Sequence, residues 1–289
     1  MLRGVVPIVP TPFHADGTLD LPGLRRVVDY LVGAGVHGLA VLGVASEVYA
    51  LTDAERLQVA ETAVAQAGGR LPVVAGCSHA SGQAAATTAR ELAAAGADVL
   101  MVMPPHFVKP SPPALLEYYA LVAGAVDVPL MIQDNPGWTG VEIPVDLYGK
   151  LARVDGIEYA KVEVPHPPTK MRAVPDGLTL LGGLAGNWLL EELAAGSQGT
   201  MPASLMPQIY VRVWDLWQAG DHAGARALFH RYHPAIRVSA QQSVGFAMVK
   251  HLLWRLGVLE SPTVRNPLAQ LSAADEADLD AVVEELDLV

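Results

Sequence analysis

Cysteine is almost absent from the chain, with Cys77 the only one in 289 residues. No intrachain disulfide can form and thiol-rich metal sites are excluded, which makes a reducing cytoplasm the natural compartment. Long apolar runs are missing too. No stretch reaches the roughly 18 apolar residues that a membrane span needs, and the N-terminal MLRGVVPIVPTPF carries prolines where a signal peptide needs an uninterrupted apolar segment. The sequence is therefore read as neither exported nor membrane-spanning. Basic residues are few: 19 Lys and Arg against 30 Asp and Glu leave a formal net charge of −11, with both signs mixed along the chain. That balance argues against a nucleic-acid or anionic-membrane surface and leaves small soluble molecules as partners. His230 and His233 stand three apart, but no cysteine or carboxylate cluster joins them, so no metal site is expected.

What is present is a repeat. Short apolar runs alternate with Ala-rich segments of helical period from about residue 4 to residue 219, which is the pattern of βα units. Eight strands are predicted: 4–10, 36–43, 71–76, 97–103, 128–134, 157–163, 178–183 and 198–203. Most are continuous apolar runs without strict alternation, as parallel strands covered on both faces require, and the segments between them are long enough for crossover helices. Thr52 followed by Glu55 forms a capping box, with Gly68 and Gly69 ending that helix, while Gly96 stops the next. The eighth strand is the weakest, being short and containing Pro202.

After residue 220 only helical patterns remain, and no Gly/Ser-rich linker precedes them. Eight strands and eight helices predict a (β/α)₈ TIM barrel over residues 1–220, with residues 221–289 as a C-terminal helical extension packed on it. A doubly wound open sheet is the competing architecture, but no G-x-G-x-x-G follows the first strand.

Barrels of this kind carry their chemistry at the C-terminal ends of the strands. The sixth strand, IEYAKVE, places a lysine there. Period-two alternation predicts Ile157, Tyr159, Lys161 and Glu163 on one face and Glu158, Ala160 and Val162 on the other. Lys161 is then either half of an ion pair or a nucleophilic amine. An apolar wall disfavours the ammonium form, and lowering the pKa from about 10.4 to near 7 takes about 4 kcal/mol of differential solvation. An amine so tuned attacks a carbonyl to form a Schiff base.

At this point the sequence resembles a known family. VPIVPTPFHADGTLD at strand one, GLAVLGVASEVYALTDAER at strand two, MPPHFVKPS after strand four, NPGWTG after strand five and AKVE at strand six are together similar to the dihydrodipicolinate synthase and N-acetylneuraminate lyase family. That family consists of class I aldolase-type barrels that bind a 2-oxo acid, often pyruvate, through a lysine Schiff base. The resemblance covers nearly the whole chain and implies that Lys161 is the Schiff-base lysine.

It also exposes departures. The family turn that holds the substrate carboxylate usually carries two hydroxyl residues, and here GVASE puts Val44 and Ala45 in those positions. Backbone N–H groups of Ala45 and Ser46 still suit an anion-binding turn, and the Ser46 hydroxyl is a candidate replacement. After strand five the family has a proton-shuttling tyrosine; this chain has Gln133, which hydrogen-bonds but exchanges no proton near neutral pH. Trp138 stands where the synthases carry an arginine for a substrate carboxylate, which argues against an aldehyde partner with a carboxylate at that end. With the tyrosine gone, Glu163 is the candidate acid/base and His106, in the loop after strand four, a second one. By the resemblance, Gly183 and Met201 line the 2-oxo acid pocket. The glycines of LGGLAGNW leave a phosphate cradle open as another use of that turn.

The resulting expectation is a Schiff-base lyase, aldolase or dehydratase, acting on a 2-oxo acid such as pyruvate or a 2-keto-3-deoxy sugar acid, with no cofactor and no metal. The family's frequent tetramers imply a homo-oligomer. Two other readings stay open: a non-catalytic homologue that binds a small acid, and a barrel enzyme that handles a phosphorylated substrate without a Schiff base.

Overall fold

A computed structural model describes residues 1–242 and 244–288. Eight strands alternate with helices: β1 (Gly4–Val5), β2 (Leu39–Val41), β3 (Val73–Gly76), β4 (Val99–Val102), β5 (Leu130–Asp134), β6 (Ile157–Val162), β7 (Thr179–Leu181) and β8 (Gly199–Thr200). Strands β2 to β7 pair in sequence order, all parallel, and β1 pairs in parallel with β8. Single bridges from Ile8 to Ala40 and from Gly182 to Thr200 join the two groups and close the ring. The architecture is the (β/α)₈ barrel that the repeat predicts.

The strands at the seam are shorter than the sequence suggests, and the reason is proline. Val6 and Ile8 donate to the carbonyls of Thr200 and Pro202 on one side, and Val9 donates to Ala40 on the other. Pro7 has no N–H to add to that second edge, and Pro202 interrupts β8 in the same way. The ladder survives there as isolated bonds.

Two apolar layers hold the barrel. Inside it, Val6, Ile8, Val74, Met101, Met131, Leu181 and Met201 pack together with Tyr159, whose hydroxyl accepts from the Leu2 N–H at 3.1 Å. Outside it, the helices bury the opposite strand faces in a larger continuous core that contains Leu100, Ile132, Ala160 and Val162. The predicted face of β6 needs one correction: Ile157 belongs to this outer layer, whereas Tyr159 points inward. Leu130 pairs with Ile157 and Met131 with Tyr159, so the exposed Glu158 is a bulged extra residue that flips the alternation once. Beyond the bulge, period two resumes and Lys161 and Glu163 share Tyr159's side.

Helix ends follow local chemistry. The Thr52–Glu55 capping box forms and Gly68 closes that helix in the left-handed region at φ 56°. Past the eighth barrel helix (Pro207–Gln218), helix His222–Ser239 packs on it and is followed by Val244–Arg255 and Ala273–Leu286. Helix Val244–Arg255 brings Phe246 and Val249 to the C-terminal mouth of the barrel. Among the described residues no helix is long and apolar enough to cross a membrane.

Candidate active site

A cavity of about 390 Å³ opens at the C-terminal ends of the strands. Lys161 lies at its floor, on β6, and its side chain is only 4% exposed. In the parallel register Lys161 sits beside Gln133 of β5, so two polar side chains meet across adjacent strands inside an apolar ring. Glu163, one residue past the end of β6, points to the same side, and its Oε1 lies 3.1 Å from Lys161 Nζ. Both readings of the lysine therefore share one geometry, since the ion pair exists and it faces a cavity.

Glu163 is held by four groups. Its Oε2 accepts from Gln133 Nε2 at 2.7 Å and from Asn135 Nδ2 at 3.1 Å, and its Oε1 accepts from the Leu184 N–H at 3.1 Å besides meeting the lysine. Burial alone pushes this carboxyl up, but the Lys161 charge and these donors outweigh it and hold the acid below the usual carboxylate range. Gly183 supplies the room: a Cβ there would lie 2.5 Å from Glu163 Cγ. The glycine therefore shapes the site from beneath Glu163 and does not itself line the cavity.

The turn at 43–47 is a short 3₁₀ segment, Val44–Ser46. The Ser46 N–H donates to Gly43 O at 3.0 Å, and its hydroxyl donates to Val9 O at 2.6 Å. Ser46 is fully buried and absent from the cavity wall, so neither the replacement hydroxyl nor the N–H expected of it faces a substrate. Val44 and Ala45 do line the wall, and as the first residues of a helical turn their N–H groups lack intrahelical partners. The turn's last residue, Glu47, adopts φ 58° and is anchored from the C-terminal region: its carboxylate pairs with buried Lys250 and accepts from the Arg265 N–H at 2.9 Å. Lys250 also donates to Thr263 O at 2.9 Å and lies over the Phe13 ring, as does the Arg265 guanidinium.

Of the other residues singled out in the sequence, Met201 and Trp138 line the cavity. Asn135 Oδ1 accepts from the Trp138 N–H at 3.3 Å, capping the turn Pro136–Thr139, and the indole stacks on Phe246 at 5.9 Å between ring centroids. His106 is exposed in the loop after β4 and does not reach the cavity, which removes it from proton transfer in this arrangement. No tyrosine is among the described residues of the wall, so none replaces the one missing at position 133.

Sequence reasoning missed several residues. Asn135 and the Leu184 N–H complete the Glu163 cradle; only the Asn-Pro step after β5 hinted at the first. Glu192 is the larger omission. Its carboxyl is fully buried against the outer face of Gly182, where no side chain intervenes, and neither oxygen has a hydrogen-bond partner among the described residues. Burial pushes it well above the usual carboxylate range, with the nearby Glu163 charge adding to the rise. At the outer rim, Asn187, Trp188, Gln241, Gln242 and Phe246 were also unforeseen. Three of these come from the C-terminal helical region, whose approach to the mouth has no local sequence signal.

For a metal, the described residues offer one cluster, His14, Asp20 and Glu260. Arg26 pairs with both acids, and none of the three lines the cavity. The predicted absence of metal chemistry in the pocket rests on its donor set, a single amine and a single carboxylate with amides.

Comparison with known proteins agrees with this geometry. A sequence model of the dihydrodipicolinate synthetase family matches residues 1–286. The L-2-keto-3-deoxyarabonate dehydratase of Azospirillum brasilense is 33% identical over 299 aligned residues, covering 99% of this chain and 94% of that protein. A 4-hydroxy-tetrahydrodipicolinate synthase of Chlorobium luteolum is 31% identical over 294, covering 100% and 98%. Among solved structures, YagE of Escherichia coli K12, a prophage protein of the dihydrodipicolinic acid synthase family crystallised with pyruvate, superposes with a TM-score of 0.94 at 27% identity over the full length of both chains. The chain therefore belongs to the dihydrodipicolinate synthetase family.

Proposed function

We propose that this protein is a Schiff-base lyase that dehydrates a 2-keto-3-deoxy sugar acid through Lys161. The observation that carries the reading is a buried amine at the floor of a cavity, in contact with a carboxylate that three further groups orient. Membership of a family of lyases and the likeness to a keto-deoxy sugar acid dehydratase support it.

The chemistry follows from the contacts. Glu163 takes a proton from the Lys161 ammonium, the free amine adds to the C2 carbonyl of the oxo acid, and Glu163 returns the proton to the carbinolamine hydroxyl, which leaves as water to give an iminium. The substrate carboxylate lies against the free N–H groups of Val44 and Ala45. The iminium draws electrons from C3, whose proton passes to Glu163; the resulting enamine expels the C4 hydroxyl as water, the leaving oxygen taking that proton back from Glu163. Water then hydrolyses the imine and returns the lysine. Gln133 holds Glu163 in place and exchanges no proton itself.

Dehydration is favoured over aldol cleavage because the described residues of the wall offer a carboxylate for proton transfer and no tyrosine. The phosphorylated-substrate reading fits poorly: the first N–H of the LGGLAGNW turn is bound to Glu163, and Glu191 and Glu192 stand in the first turn of the helix that follows. Incubation with 2-keto-3-deoxypentonate and analysis of products tests the proposal. Dehydration yields one product that keeps every carbon, aldol cleavage yields pyruvate and an aldehyde, and binding without either product indicates a non-catalytic homologue.

Homo-oligomerisation belongs to the same proposal. Phe107 and Val108, in the loop after β4, are 90% and 72% exposed, an apolar tip that water alone covers poorly and a second copy would bury.

A further inference from the structure

The reacting end of the cavity uses both of its charges. Among the described residues of the wall, Lys161 and Glu163 are the only charged ones, and they contact each other. The far end, toward solvent, is built from two kinds of neutral surface. Trp138 and Phe246 stack at 5.9 Å and present ring faces, while Asn187, Gln241 and Gln242 present carboxamides. One of these amides is oriented: Asn187 Oδ1 lies 3.0 Å from His233 Nε2, and since a carbonyl oxygen only accepts, the histidine donates and the Asn187 NH₂ is left for the cavity.

We infer that Asn187, Gln241 and Gln242, together with the Trp138–Phe246 stack, form a specificity subsite that accepts an uncharged hydroxylated chain and rejects an acidic one. The inference rests on the Schiff-base reading above and adds to it the selection of the substrate's tail. A hydroxyl both donates and accepts, as a carboxamide does, so each amide pairs with a hydroxylated carbon whichever way the proton points. The ring faces pack against the carbon-bound hydrogens between the hydroxyls. A terminal carboxylate or phosphate would lose water here without gaining a cation, which a partly enclosed site penalises. The C-terminal helical region thus supplies the selectivity, and the barrel supplies the reaction.

Borohydride trapping of the full chain, followed by intact-mass measurement, gives a half-saturating concentration for each of three 2-oxo acids. Pyruvate carries only the reacting end. The other two, 2-keto-3-deoxypentonate and 4-hydroxy-2-oxoglutarate, have the same carbon count and differ at the last carbon, a hydroxymethyl against a carboxylate. The hydroxylated tail is expected to lower the half-saturating concentration at least about tenfold relative to the acidic tail, the equivalent of one or two good hydrogen bonds. In the double variant Gln241→Ala, Gln242→Ala that ratio is expected to fall to about twofold or less. Gln242→Arg, which puts a cation at the exposed rim, is expected to shift preference toward the acidic tail. Equal trapping of the two tails by the unmodified chain, or an unchanged ratio in both variants, overturns the inference while leaving the Schiff base intact. Failure of all three acids to form an adduct removes the Schiff-base reading and this inference with it.

Discussion

At the residue scale, the site is a problem of where protons sit. Glu163 is held ionised by its donors, so the acidic limb of kcat/KM is expected below the ordinary carboxylate value of about 4.3. The sign follows from the lowered pKa: the base stays competent as pH falls and is lost only on passing that depressed value, which a pH–rate profile reads. Glu163→Gln keeps the shape and the hydrogen bond to Asn135's neighbourhood but removes the base, and kcat is expected to drop about 10²- to 10⁴-fold with Lys161 still trappable by borohydride. Glu192 has the opposite sign. Its acid is raised by burial, so the folded state holds a proton that the unfolded state releases above about 4.3. Stability from this group is present below that pH and is lost as pH rises toward the raised value. The melting temperature of the native chain is therefore expected to decline as pH rises above about 5 more steeply than that of Glu192→Gln, measured by calorimetry at matched ionic strength.

Legibility at this scale was uneven. Lys161, Gln133 and Glu163 were readable because strand period and neighbouring-strand register bring them together without help from distant sequence. Ser46 misled: a serine in a turn bonds the nearest carbonyl, here Val9 O, and the closed 3₁₀ turn takes its N–H as well. Glu192 was unreadable, because an acid in a predicted helix is ordinarily on the surface. Only the absent side chain at Gly182 lets it lie against the barrel wall.

At the scale of elements, the strand predictions were right in order and number and wrong in extent. Proline shortened β1 and β8, and one bulge in β6 moved Ile157 to the helix side without disturbing Lys161. The connection that matters most is long-range. Glu47 closes the turn at 43–47, Lys250 lies on the helix that carries Phe246 and Val249, and their buried ion pair ties one cavity wall to the other. Breaking one partner leaves a buried charge alone, so Lys250→Met is expected to destabilise the fold by about 3–5 kcal/mol in denaturant unfolding. The double variant Glu47→Gln, Lys250→Met is expected to be less destabilised than Lys250→Met alone, since no uncompensated charge remains. Additive losses would show that the two side chains act independently.

At the scale of the whole molecule, a (β/α)₈ barrel with C-terminal helices folded over its mouth divides labour: strand ends hold the amine and its carboxylate, and later helices roof the cavity. The barrel was legible because each βα unit announces itself locally. The roof was not, since the helices after residue 220 show only that they are amphipathic and say nothing of where they dock. The exposed Phe107 and Val108 predict self-association: light scattering is expected to give a multiple of 30.5 kDa, and Phe107→Asp a smaller species. The proposed activity depends on a covalent bond at one nitrogen. Reduction of the protein with borohydride in the presence of pyruvate, with peptide mapping of the product, tests it most directly. One reduced oxo-acid adduct on the peptide carrying Lys161, absent from Lys161→Ala, is the predicted result; an adduct elsewhere, or catalysis that survives in Lys161→Ala, would contradict it.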